Sequence, residues 1–166
     1  MSVRIRRAEP ADAAALVELA RAVGGEPEGW LVTNGDWRTA TDERRYVRAT
    51  RRSPDAAVFV AESSEGIVGR LSIARDPHPA SRHVADLGVM VARDFRRRGA
   101  GRALMEAAEA WARRVGIRKL ELHVFPHNEA AIALYTRLGY AQEGLRRRHY
   151  RRAGKYLDAV LMAKEL

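Results

Sequence analysis

The run Val89-Met90-Val91-Ala92-Arg93-Asp94-Phe95-Arg96-Arg97-Arg98-Gly99-Ala100-Gly101-Arg102-Ala103-Leu104-Met105 holds the densest chemistry in this sequence. An apolar strand pattern breaks into a basic, glycine-punctuated turn, which opens a helix whose first N–H groups have no partner inside the helix. Unpaired amides, the positive end of a helix dipole and flanking arginines together make an anion site. Bare α-carbons at Gly99 and Gly101 let a bulky anion such as a pyrophosphate reach the main chain, and let the turn take unusual dihedrals. Two other phosphate patterns are absent at this turn: the G-x-G-x-x-G of dinucleotide binding and the G-x-x-x-x-G-K-[ST] of nucleoside triphosphatases. A solvated basic helix start is the competing reading.

Composition narrows the surroundings of that turn. The 166 residues carry a formal net charge of +9, with 46% hydrophobic and 31% charged residues, which is the balance of one ordinary globular domain spanning residues 1–166. Charge of this sign and size favours a polyanionic partner. With no cysteine in the chain, disulfides, thiolate nucleophiles and cysteine zinc sites are excluded. His123 and His127 have helical ligand spacing but fall across a strand end and a loop, and no metal is expected. No apolar run approaches the roughly 18 residues of a membrane span, and the N-terminus lacks the apolar segment of a signal peptide. The expected location is the cytoplasm.

The elements that must position the turn follow from periodicity. Val3 to Arg6 alternates as a strand; Pro10 and Asp12 open an amphipathic helix through Val23, with Leu16, Leu19, Ala20 and Val23 inward. A second helix is expected from about Thr41 to Arg51, then antiparallel strands over 57–62 and 67–74, a loop from Arg75 to Arg82, and a strand from Val84 to Ala92. Beyond the glycine turn, a helix should run from about Gly101 to Val115 and end at Gly116. Lys119 to Val124 alternates as a strand, Asn128 caps a helix to Leu138, and two strands joined near residues 152–155 finish the chain. The order is β-α-α-β-β-β-α-β-α-β-β, with one β-α-β crossover at its centre.

This order, together with two motifs, resembles the GNAT superfamily of acetyl-CoA-dependent N-acetyltransferases. Arg96-x-x-Gly99-x-Gly101 is similar to the family's pyrophosphate loop. About 30 residues downstream, Asn128-Glu129-Ala130-Ala131-Ile132-Ala133-Leu134-Tyr135-Thr136-Arg137-Leu138-Gly139-Tyr140 is similar to its N-x-x-A-x-x-L-Y-x-x-x-G-[FY] segment, a far more specific pattern. The resemblance covers nearly the whole chain. It implies a GNAT fold of the α/β (α+β) class, a mixed, mostly antiparallel sheet of about seven strands with about four helices. It further implies direct acetyl transfer from acetyl-CoA to a primary amine within a ternary complex.

The resemblance also implies roles. The pyrophosphate would sit on the N–H groups of Arg97 to Arg102, through Arg98, Gly99, Ala100 and Gly101, with Arg96, Arg97 or Arg102 adding charge. The backbone of Val89, Met90 and Val91 would pair with the pantetheine amides as a further strand would. Asn128 would contact the pantetheine arm or serve only as a helix cap. Tyr135 would act as general acid to the departing thiolate, a phenol of about pKa 10 serving a thiol of about 8.5, or would simply pack. An attacking lysine-like amine of pKa about 10.4 is only about 0.04% neutral at pH 7, so a base or a water chain to one is useful. Asp86, ten residues before Arg96, is the leading candidate, or else a salt-bridge partner; Glu121 on the next strand is the alternative.

The acceptor, a small molecule or a protein N-terminus, is not legible. The loop Gly24 to Trp37, the loop Arg75 to Arg82 and the final hairpin should wall its pocket, and their Trp30, Glu26, Glu28 and His78 would suit a cationic amine or a peptide. The hairpin carries Arg146, Arg147, Arg148, His149, Arg151, Arg152 and Lys155, with Tyr150 and Tyr156 available to stack on bases. This supports a rival reading, a nucleic-acid- or ribosome-binding module without catalysis. Yet its Tyr156-x-Asp158-x-x-x-Met162 ending resembles bacterial acetyltransferases of small amines and protein N-termini, among which dimers are common.

Overall fold

Strands turn alternate residues to opposite faces, and the alternation in this chain is realised seven times in the computed structural model, which describes residues 2–32 and 38–166. Residues 33–37, part of the expected acceptor loop, lie outside the described residues. The strands are β1 (Arg4–Arg7), β2 (Ala56–Ser63), β3 (Gly66–Arg75), β4 (Val84–Val91), β5 (Lys119–Val124), β6 (Ala141–Arg152) and β7 (Lys155–Glu165). They form one sheet in the order β1-β2-β3-β4-β5-β7-β6. Every pairing is antiparallel except that of β4 with β5. Helices α1 (Ala13–Gly24) and α2 (Ala40–Arg52) follow β1, α3 (Ala100–Arg114) makes the crossover from β4 to β5, and α4 (Glu129–Arg137) follows β5. Element order and type match expectation, with helix boundaries displaced by a residue or two.

Helices cover both faces. Ala57, Phe59 and Ala61 of β2 join a core with Leu104, Met105 and Trp111 of α3 and Leu120 and Leu122 of β5. Between them, Val58 and Val60 join a second core with Leu16 of α1 and Val47 of α2. One strand feeding two cores explains why residues 57–61 read as an unbroken apolar run.

The sheet opens at its centre. β4 and β5 share only the pairs Val84↔Lys119, Ala85↔Leu120 and Asp86↔Glu121. Beyond these, β4 stays with β3 as far as Val91 and β5 stays with β7 as far as Val124. Hydrogen-bonded pairs alternate along an antiparallel ladder. Since Ala92 N–H donates to Val68 O (2.8 Å) and Met90 pairs with Arg70, the main chain of Met90 is spent on β3. The amides of Val89 and Val91 therefore face the opening, whereas the expectation had all three residues doing so.

β6 carries an irregularity that matters below. Its register against β7 shifts between Arg146 (opposite Ala159) and Tyr150 (opposite Leu157). Within the bulge Arg148 lies at φ 51, and its N–H donates to Asp158 Oδ1 at 2.7 Å. The hairpin then closes on Ala153 and Gly154 at φ 49 and 75, the positive pair that a two-residue turn needs to match strand twist.

Candidate active site

The glycine turn behaves as its composition requires. Positive φ at Arg97 (62) and Gly99 (88) folds the chain back before α3, and a non-glycine residue in that region is backbone strain stored at a working site. The N–H groups from Arg97 through Arg102 have no acceptor among the described residues, the next amide, that of Ala103, being the first to bond back, to Gly99 O at 2.9 Å. Arg96, Arg97, Gly99, Gly101 and Arg102 line a cavity of about 690 Å³. A Cβ on Gly101 would lie 3.3 Å from Leu134 Cδ2 and 3.9 Å from Val91 Cγ2, whereas one on Gly99 would meet nothing within 4 Å. Gly101 thus serves close packing of α3 against α4 and β4, and Gly99 serves the turn itself.

The arginines divide their work. Arg96 donates through Nε to Val91 O (2.8 Å) and clasps the Glu26 carboxylate through both terminal nitrogens at 2.8 and 2.5 Å. Its charge is neutralised, so its part is to fix the turn. Arg102 pairs with Glu106 one turn along α3 (2.8 Å). Arg98 stands 5.7 Å over the Phe95 ring, and neither it nor buried Ala100 lines the cavity. Exposed Arg97 lines the cavity and makes no ion pair among the described residues, which leaves its charge free for an anion at the turn.

The cavity passes through the opening in the sheet. On the α3/α4 side its walls include Asn128, Leu134 and Tyr135, and on the α1/α2 side Trp30, Val32, Arg70 and Ser72. Asn128 caps α4, its side chain accepting from Ala131 N–H (3.3 Å), while lining the cavity. Tyr135 is 7% exposed. Its hydroxyl bonds to no described residue and, unlike that of Tyr140, is not sealed away. Burial holds the Tyr135 phenol above the usual tyrosine range.

A second cavity of about 320 Å³ adjoins on the α1/α2 side, lined by Tyr46, Ala74, Asp86, His123 and Tyr150 among others. Asp86 keeps solvent access, yet crowding first and the neighbouring Glu121 carboxylate second push its carboxyl up to about 6, against the pull of Arg146. Glu121 lines neither cavity.

Several expectations for the acceptor wall are corrected. Glu26 and Glu28 are paired with Arg96 and Arg93, so they present no free negative charge to a cationic amine. His78 accepts from Ala80 N–H within its own turn, and no residue of the Arg75 to Arg82 loop lines either cavity. That loop is instead anchored elsewhere, Arg75 bonding Val115 O (2.6 Å) and Asp55 (2.9 Å). Trp30 does line the wall, stacked on His127 at 5.5 Å, which in turn stacks on Phe125 at 5.6 Å. Of the hairpin tyrosines, Tyr156 is exposed beneath Arg148 and Arg151, while the bulge turns Tyr150 inward to His123. His123, weighed in the sequence only as a metal ligand, is the site residue that sequence reasoning missed. Its one signal was that it follows Glu121 by two on an alternating strand and so shares its face.

Comparison with known proteins agrees with this geometry. The model of the acetyltransferase (GNAT) family matches residues 17–140. The L-amino acid N-acetyltransferase AaaT of Escherichia coli (strain K12) is 35% identical over 115 residues, 67% of this chain and 69% of that protein. The [ribosomal protein bS18]-alanine N-acetyltransferase of Salmonella typhimurium is 43% identical over 70 residues, 42% of this chain and 47% of that one, so this chain spans under half of its length. Among solved structures, an acetyltransferase of the GNAT family from Streptococcus pneumoniae superposes with a TM-score of 0.90 at 32% identity, over 99% of this chain and 100% of that one. These relatives lend no support to a nucleic-acid-binding module without catalysis. The chain belongs to the GNAT family of acetyltransferases.

Proposed function

We propose that this N-acetyltransferase moves an acetyl group from acetyl-CoA to the α-amine of a small molecule such as a free amino acid, or of a protein N-terminus, by direct attack in a ternary complex. The observation that carries the reading is the row of N–H groups from Arg97 to Arg102, without acceptors among the described residues, in a turn whose Arg97, Gly99, Gly101 and Arg102 line a cavity that runs through the opening between β4 and β5. Those amides and Arg97 suit a diphosphate. The gap-facing amides of Val89 and Val91 suit an extended amide arm, although Val91 O is already taken by Arg96. The residues present therefore fit the coenzyme, and acetyl-CoA supplies the activated acyl thioester.

The chain's own groups handle the protons. Tyr135, kept protonated by burial, holds a proton at its hydroxyl for a departing thiolate. Asp86, with Glu121 beside it, lines the smaller cavity, where its carboxylate can pass the amine's proton on toward solvent. Absence of cysteine removes a thiol route through the enzyme. The relatives that act on an L-amino acid and on an alanine of a ribosomal protein make α-amines the first acceptors to try. A cytoplasmic location and a homodimer complete the proposal.

A thermal melt with acetyl-CoA tests the donor site. At 100 times its dissociation constant the ligand adds about 2.7 kcal/mol, and no shift at saturation overturns the reading. Thiol release across a panel of L-amino acids and N-terminal peptides tests the acceptor.

A further inference from the structure

Two cavities meet at the opening in the sheet, and the residues lining both are Val32, Ser72, Leu87, Gly88 and His123. Of these, only His123 titrates near neutral pH. Asp86 reaches the smaller cavity alone, and Glu121 reaches neither. His123 Nδ1 lies 2.7 Å from the Tyr150 hydroxyl, and its Nε2 has no partner among the described residues. We propose that His123 takes the proton of the acceptor's ammonium through Nε2, with Tyr150 holding the ring and the Asp158-latched bulge of β6 holding Tyr150.

The latch is a matter of register. Without the extra residues between Arg146 and Tyr150, alternation would aim a different β6 side chain at β5. Arg148 takes the positive φ that makes the bulge, and Asp158 accepts its N–H at 2.7 Å. Tyr150 then packs between Phe125 (5.9 Å), His149 (4.8 Å) and His123 (6.0 Å). Asp158 is thus a positioning residue for Tyr150, as Tyr150 is for His123.

Protons balance along this route. The ammonium N–H bond breaks, its electron pair stays on nitrogen, and imidazolium forms at His123. When the neutral amine becomes an amide it gives up a second proton, which returns to Tyr135 and replaces the one Tyr135 places on the thiolate. His123 returns its proton to solvent through the smaller cavity past Asp86. The groups facing His123 are Asp86 from β4, Glu121 on β5, Arg146, His149 and Tyr150 from β6, and Tyr46 of α2 on the cavity wall. Burial first, then Arg146 and His149, hold the imidazole below its usual range. It therefore stays neutral and able to accept a proton at pH 7.

This inference rests on the acetyltransferase reading, and its test separates the two. Wild type, His123→Gln, Tyr150→Phe and Asp158→Ala are compared by acetyl-CoA melting shift and by the pH profile of kcat/KM for the best acceptor of the amino-acid and peptide panel. His123→Gln should keep the melting shift, lose about 10²-fold in kcat/KM at pH 7, and regain rate about tenfold per pH unit as solution supplies the free amine. Tyr150→Phe and Asp158→Ala should show smaller losses with the same change of profile. NMR titration of the ligand-free protein should find the His123 ring neutral at pH 7, with a tautomer that changes in Tyr150→Phe. A wild type that releases no thiol with any acceptor overturns the function and this inference together. An active wild type whose profile His123→Gln reproduces, or a His123 ring charged at pH 7, overturns this inference alone.

Discussion

The Arg96 guanidinium grips the Glu26 carboxylate at two points, 2.8 and 2.5 Å apart, and so ties the glycine turn to the loop that follows α1. The loop is also held by Trp30 Nε1 to Glu26 (3.1 Å), by His127 to Glu28 O (2.9 Å) and by Arg152 to Leu31 O (2.6 Å). Coenzyme turn and acceptor wall are thereby one mechanical unit.

Glu26→Gln should loosen that unit. Both partners are partly shielded, and the variant is expected to lose about 1 kcal/mol in chemical denaturation and to raise KM for acetyl-CoA. Arg96 holds the Glu26 carboxyl below its usual range. A depressed carboxylate contributes fully above its unfolded pKa, so this contribution should vanish as pH falls through the lowered folded value. Wild type and variant should therefore converge in stability in acid.

Tyr135→Phe should leave the acetyl-CoA melting shift intact and lower kcat by about 10²-fold, the ordinary loss for one positioned proton donor. Stopped thiol release with retained binding is the signature. An unchanged kcat would reduce Tyr135 to packing.

Gly99→Ala places a Cβ in open space but on a backbone at φ 88. The expected cost is about 1 kcal/mol from the left-handed conformation, together with weaker acetyl-CoA binding as the amides reorient. Gly101→Val must instead displace Leu134, 3.3 Å from the new Cβ, and should lower the melting temperature more. Differential scanning fluorimetry with and without acetyl-CoA distinguishes the two effects.

Asp86 gives the pH prediction its sign. Its carboxyl is raised to about 6, chiefly by crowding and next by Glu121. A raised carboxyl contributes stability below its unfolded pKa of about 4 that is lost as pH rises through 6. Asp86→Asn should therefore stabilise the protein at pH 8, by no more than about 1 kcal/mol once solvent screening is allowed for. It should also slow acetyl transfer, and kcat/KM of the wild type should fall below pH 6. A variant destabilised at pH 8 would contradict this.

Local rules wrote much of this protein into its sequence. The amphipathic run ending at Val23, the alternation of Leu120, Leu122 and Val124, the Asn128 cap and the turn at Gly99 each depend on a few neighbours, and each element formed where expected. Asn128, Tyr135 and the Arg97 to Arg102 amides line or adjoin one cavity because short-range geometry points them there once β4 and β5 are neighbours.

What the sequence could not determine depends on partners far along the chain. Arg96 is separated from Glu26 by 70 residues and His123 from Tyr150 by 27. Whether a charge is free for a ligand or spent on a protein neighbour is decided by such long-range contacts, which no periodicity encodes. The bulge at Arg148 shifts β6 against β7, and a register shift changes which side chains face the site while leaving the apolar pattern untouched. The sequence alone therefore determined the elements, their order and the anion-binding turn, whereas tertiary structure decided which arginines are spent, which tyrosine turns inward and where the sheet parts, because those depend on pairing in space.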